Sequence, residues 1–71
     1  MDEKRVIGEL AGMTIKDLYL IWDAMANGAE HELYFPQVAR GMALINSDSS
    51  EGSWDWLVNT LDMPLEDIVN G

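Results

Sequence analysis

Apolar residues recur along this chain mostly at three- and four-residue spacings, the mark of amphipathic helices rather than strands. Val6, Ile7, Leu10 and Ala11 predict a first short helix over residues 2–11, with Asp2 and Glu3 at its positive end and Gly12 as its stop. Gly8 inside it lowers helix propensity by up to about 1 kcal/mol. Thr14 opens the clearest helix, over 14–27: as N-cap it places Asp17 at the third helical position, and Met13 before it can staple onto Leu18. Ile15, Leu18, Trp22 and Met25 form one stripe, widened by Tyr19 and Ala26, and Asn27-Gly28 ends it. Leu20 and Ile21 fall off that stripe. The helix is therefore apolar around more than half its girth, which suits a central element or an interface.

Residues 29–35 read either as an extended segment or as a helical turn. Phe35 precedes Pro36, and a residue before proline avoids the α region, so a new helix is predicted from Pro36 with Val38, Ala39, Met42 and Ile45 facing inward. Asn46 to Ser53 holds no apolar residue and reads as an exposed, flexible polar loop at 46–53. Ser53 is then the expected N-cap of a helix carrying Trp54, Leu57, Val58 and Leu61, with Asp55 in its first turn and Trp56 on the opposite side. Asp62-Met63-Pro64 starts a last short helix with Leu65, Ile68 and Val69 inward. The expected fold is all-α: one domain over residues 1–71, a compact bundle of four to five short helices. Its expected core is Ile15, Leu18, Trp22, Met25, Val38, Met42, Trp54, Leu57, Leu61, Leu65 and Ile68.

Charge changes the picture most. The chain carries 13 acids against 4 bases, a net charge of −9 in 71 residues. After Arg40 there are six carboxylates, Asp48, Glu51, Asp55, Asp62, Glu66 and Asp67, and no Lys, Arg or His. Such a one-signed field speaks about partners and solubility rather than fold. It argues against direct contact with nucleic acid or an anionic membrane, both of which need Lys and Arg to displace counterions. No stretch approaches the roughly 18 apolar residues of a membrane span, and no signal peptide is expected behind Lys4-Arg5. A cytoplasmic location is the expectation, consistent with the absence of Cys. Three Trp and five Met are many for this length and suit either a tiny core or an interface.

Tests for chemistry come out against catalysis. An EF-hand begun at Asn46 would need Gly where Glu51 stands and Glu where Leu57 stands. His31, the lone His, sits between Glu30 and Glu32, too few ligands for zinc. Ser47, Ser49, Ser50 and Ser53 lie outside any nucleophile elbow, and no P-loop is present. No catalytic residue, metal or cofactor is expected, and the protein is not expected to be an enzyme.

The stretch from Trp56 to Ile68, about a fifth of the chain, resembles the closing two helices of lambda-repressor-like helix-turn-helix domains. Those domains read DNA with a polar, often basic helix ahead of this segment. Here residues 37–53 offer one base, Arg40, and an acidic serine-rich loop. The resemblance thus implies a helical fold without DNA reading.

The leading expectation is a small acidic protein-binding inhibitor that occupies the basic, nucleic-acid-binding surface of another protein. Phage proteins directed against host defence or transcription machines, such as DNA mimics and anti-CRISPR proteins, are the analogy of class. Asp48, Glu51, Asp55, Asp62, Glu66 and Asp67 would steer it, and Trp56 would anchor it. The alternative is a dimerising helical adaptor whose hydrophobic surface comprises Leu20, Ile21, Tyr34 and Phe35, giving a homodimer. A third is an assembly component of a larger particle.

Overall fold

Local signals set the helix ends. Thr14 is extended (φ −73°, ψ 158°), and its Oγ1 accepts the Asp17 amide at 3.1 Å, so the helix Ile15–Asn27 begins where the cap is. It ends at Gly28, whose φ of +73° is the left-handed geometry that glycine adopts without steric penalty; its amide returns to the Asp23 carbonyl. The helix Glu3–Ala11 stops differently. The Gly12 amide reaches Glu9 O at 3.2 Å and the Met13 amide reaches Leu10 O at 2.9 Å, a tightened final turn without a left-handed glycine. Phe35 is extended ahead of Pro36, which occupies the first position of the helix Pro36–Ser47.

The computed structural model describes residues 3–62. Within them the chain forms four α-helices, α1 Glu3–Ala11, α2 Ile15–Asn27, α3 Pro36–Ser47 and α4 Gly52–Leu61, with a 3₁₀ turn at His31–Leu33 and no strand. This is a small all-α bundle. The expected final helix, with Leu65, Ile68, Glu66 and Asp67, lies outside the described residues.

α2 is the central element, packing on α3, α4 and the 3₁₀ turn, while α1 covers α4 and α3. The core is Val6 and Leu10 of α1, Leu18, Ile21 and Ala24 of α2, Val38, Leu44 and Ile45 of α3, and Leu57 of α4. Each large aliphatic buried there contributes about 1.5–3 kcal/mol of transfer free energy. Met13, Leu20, Trp22, Met25, Met42, Trp54, Trp56 and Leu61 pack around it, half-buried. Gly41 makes the closest helix–helix approach possible: Ile21 Cδ1 lies where a Cβ at position 41 would have to be.

Two helices are turned from the faces expected of them. In α2 the buried centre is Ile21, fully buried, with Leu18 and Ala24, whereas Ile15 and Tyr19 are exposed. At about 100° per residue, the face has rotated by roughly a quarter turn from the Ile15–Trp22 stripe. In α4 the buried arc runs through Ser53 and Leu57, bringing Trp56 and Thr60 inward and turning Val58 out to solvent. In α2 the turn follows from Gly41 of α3, which has no side chain to keep Ile21 away and so draws the Ile21 face of α2 inward.

Candidate functional site

The polar segment between α3 and α4 is shorter and more tightly tied than the sequence suggested. α3 continues through Ser47, α4 begins at Gly52, and only residues 48–51 join them. Asp48 is buried. Its Oδ1 accepts the Ser50 amide at 3.1 Å and the Ser50 hydroxyl at 2.9 Å, and its Oδ2 accepts the Ser53 amide at 2.8 Å. The Gly52 amide finds Ser50 Oγ at 3.3 Å. Asp48 and Ser50 therefore cap α4, satisfying its first free amides. Ser53, the expected cap, is instead fully buried in the first turn.

Asp48 thus lies inside the structure rather than in the steering set. The Ser53 amide holds its carboxyl well below the usual carboxylate range, assisted by the Ser50 amide and hydroxyl. The anion is used to shape the loop.

Glu51 is set by that loop. Its φ of 62° is the one left-handed value among described non-glycine residues. A side chain there costs about 1–2 kcal/mol and persists because its surroundings over-determine it. From this position Glu51 leads an exposed row along α4 that continues through Asp55 and Asp62, with Val58 and Asn59 between them. Asp62 follows Asp55 by seven positions, so on helical spacing they lie about 20° apart around the axis and about 10 Å apart along it. α4 contains no basic residue. The structure thus gathers three of the six expected carboxylates and turns Asp48 inward, while Glu66 and Asp67 lie outside the described residues. Trp56, expected to stand free beside Asp55, is half-buried against the core.

The expected dimer surface divides as well. Ile21 is fully buried and Leu20 half-buried, because the core face of α2 is the one on which they sit. Tyr34 and Phe35 are exposed at the end of the 3₁₀ turn, joined by Leu33, which sequence reasoning left out; their exposures are 77%, 40% and 65%. The turn is held to α2 by Asp23. Its carboxylate meets His31 Nε2 at 2.7 Å and accepts Asn27 Nδ2 at 2.8 Å. Asn27 and then His31 hold the Asp23 carboxyl below its ordinary value. The His31 ring also meets Phe35 edge-on. Arg40 of α3 pairs with Glu9 of α1 at 3.1 Å on the surface.

An open cleft of about 430 Å³ lies beside the acidic row, lined by Met25, Ile45, Asn46, Asp48, Glu51 and Trp54. Sequence reasoning missed it. The available signal was Asp48 two residues before Ser50 and five before Ser53, a spacing that suits an Asx turn closing onto a helix start. Among the described residues, no three His, Cys, Asp or Glu converge as metal ligands, and no helix is long and apolar enough to cross a membrane.

Compared with known proteins, the chain matches no family model, no curated protein and no solved structure.

Proposed function

We propose that this is a non-enzymatic binding protein that occupies the basic, nucleic-acid-binding surface of another protein. The observation that carries the reading is the row Glu51, Asp55 and Asp62 on the solvent side of a helix without a base. Asp55 lies in α4, with Glu51 and Asp62 at its two ends, so the packed helix sets their spacing, and a net charge of −9 steers an encounter toward Lys and Arg. An inhibitor of a nucleic-acid-handling machine, of the kind phages direct against their hosts, is the concrete form.

The test is capture from a nuclease-treated bacterial lysate, with proteins retained at low and at high salt identified by mass spectrometry. Retention of a nucleic-acid-binding protein that is lost at high salt, displaced by duplex DNA and absent with the Asp55→Asn/Asp62→Asn variant supports the reading. Retention indifferent to salt and to that variant overturns it. A second reading, a hydrophobic adaptor, is favoured by the exposed Leu33-Tyr34-Phe35 turn. It predicts salt-resistant association that is lost in Tyr34→Ser.

A further inference from the structure

Four elements meet at the cleft beside the acidic row. α2 supplies Met25, α3 supplies Ile45 and Asn46, the connecting loop supplies Asp48 and Glu51, and α4 supplies Trp54. Its volume of about 430 Å³ falls within the range of small-ligand sites. The lining has three kinds of surface. Met25 and Ile45 are aliphatic, Trp54 offers an indole, and Asn46, Asp48 and Glu51 offer oxygens. No basic residue lines it.

Two observations say that the oxygens are placed rather than incidental. Asp48 is locked by Ser50 and Ser53, with both lone-pair directions of Oδ1 used, so it is a fixed negative charge in the wall. Glu51 is held in a left-handed conformation that glycine would occupy without strain. Glu51 lines the cleft together with Trp54.

We propose that this cleft receives one arginine side chain of the protein partner, an inference that rests on the proposed function and names the group it would grip. The methylene stem would lie on Met25 and Ile45, as long basic side chains do on apolar surface. The guanidinium would stack on Trp54 and direct its planar fork toward the Glu51 carboxylate and the Asn46 amide oxygen. Lysine, a compact and strongly hydrated charge, cannot offer both the stacking plane and the fork. A neutral side chain would forgo the charge-assisted hydrogen bond to Glu51.

The test uses the full chain, labelled with ¹⁵N, and follows the indole N–H signals of Trp22, Trp54 and Trp56. The probes are N-acetyl-arginine amide, its lysine counterpart and the uncharged isostere N-acetyl-citrulline amide. The expected result is a saturable shift of the Trp54 signal with the arginine probe, with a dissociation constant of about 1–10 mM, as befits so small a ligand. The lysine probe should bind several-fold more weakly and the citrulline probe should cause no saturable shift. Glu51→Gln should weaken the arginine response about fivefold or more, as loss of a charge-assisted hydrogen bond does. Glu51→Gly should do the same in a chain whose backbone is relieved, which separates loss of the carboxylate from loss of the fold.

A Trp54 signal that does not move by about 100 mM arginine probe, a concentration that would half-saturate even very weak sites, overturns the proposal. So does equal response to citrulline, or unchanged affinity in Glu51→Gln. Glu30→Gln, an exposed carboxylate outside both the cleft lining and the acidic row, should leave the titration intact. A lysate capture that fails while Trp54 still responds would overturn the proposed function and leave the arginine site standing.

Discussion

Gly41 of α3 rests against the side chain of Ile21 in α2, so closely that a Cβ at position 41 would overlap Ile21 Cδ1. The pair sets the distance between the two helices on which the remaining core is built. Gly41→Ala gains about 0.5–1 kcal/mol of helix propensity but overpacks the contact at about 1–3 kcal/mol. A net loss of about 1–2 kcal/mol is expected from those two effects, a fall in Tm of roughly 5–15 °C for a chain this small. Ile21→Ala alone should lose about 2–4 kcal/mol through its cavity. The double variant should lose less than the sum, since the new methyl fills part of the space. Thermal melts of the three variants close the cycle.

Ile21→Glu separates core from interface. Ile21 is fully buried, so a carboxylate there has neither water nor a counter-charge. The expected outcome is loss of the cooperative melt by circular dichroism, not a folded chain with altered self-association. A folded Ile21→Glu monomer would contradict its place in the core.

Glu51→Gly should stabilise the protein by about 1 kcal/mol, because the left-handed backbone at 51 is relieved and glycine's greater unfolded-state entropy offsets part of the gain. Glu51→Ala keeps the strain and should give no such gain. Urea denaturation midpoints of the two variants at equal m-value decide it.

Acid should unfold the protein through Asp48 and Asp23. Both carboxyls sit below their ordinary values in the folded chain, Asp48 through the Ser53 amide and Asp23 through Asn27 and His31. Their contribution is therefore fully present above the unfolded value of about 4 and fades as pH falls toward the folded values. Tm should hold between about pH 5 and 7 as far as these two groups govern it, then decline below about pH 4. Asp48→Asn should melt several degrees lower at pH 6 and show a shallower acid decline. Parallel curves for wild type and Asp48→Asn would refute this role.

Asp55→Asn/Asp62→Asn should change Tm by only a few degrees, because the favourable acid lost from the first turn of α4 at Asp55, about 0.3–1 kcal/mol, is offset by removing an unfavourable one at its C-cap, Asp62. The same variant should abolish salt-sensitive capture. A large Tm loss would mean that the row supports the fold.

The helices themselves were legible. Thr14 with Asp17, Asn27-Gly28 and Pro36 are local signals, and the helix limits follow them. Which side of each helix faces inward was not. The sequence suggests that Trp22, Ile15 and Val58 should be buried for their size, yet burial here follows where backbones can come close. For α2 that depends on Gly41 of α3, whose value appears only once the two helices are laid together. The acids show the same division. Asp55 and Asp62 share a line through simple helical spacing, whereas the left-handed backbone of Glu51 and the inward turn of Asp48 depend on contacts that only the folded loop provides.

Apart from Gly52 at its start, α4 divides its residues into two sets that share no member. Ser53, Trp54, Trp56, Leu57, Thr60 and Leu61 are buried or half-buried, and Asp55, Val58 and Asn59, with Asp62 just beyond, are open to solvent. Substitutions in the second set can accumulate without disturbing the first. The outward side of α4 can therefore be rewritten residue by residue while the fold stays intact at every step.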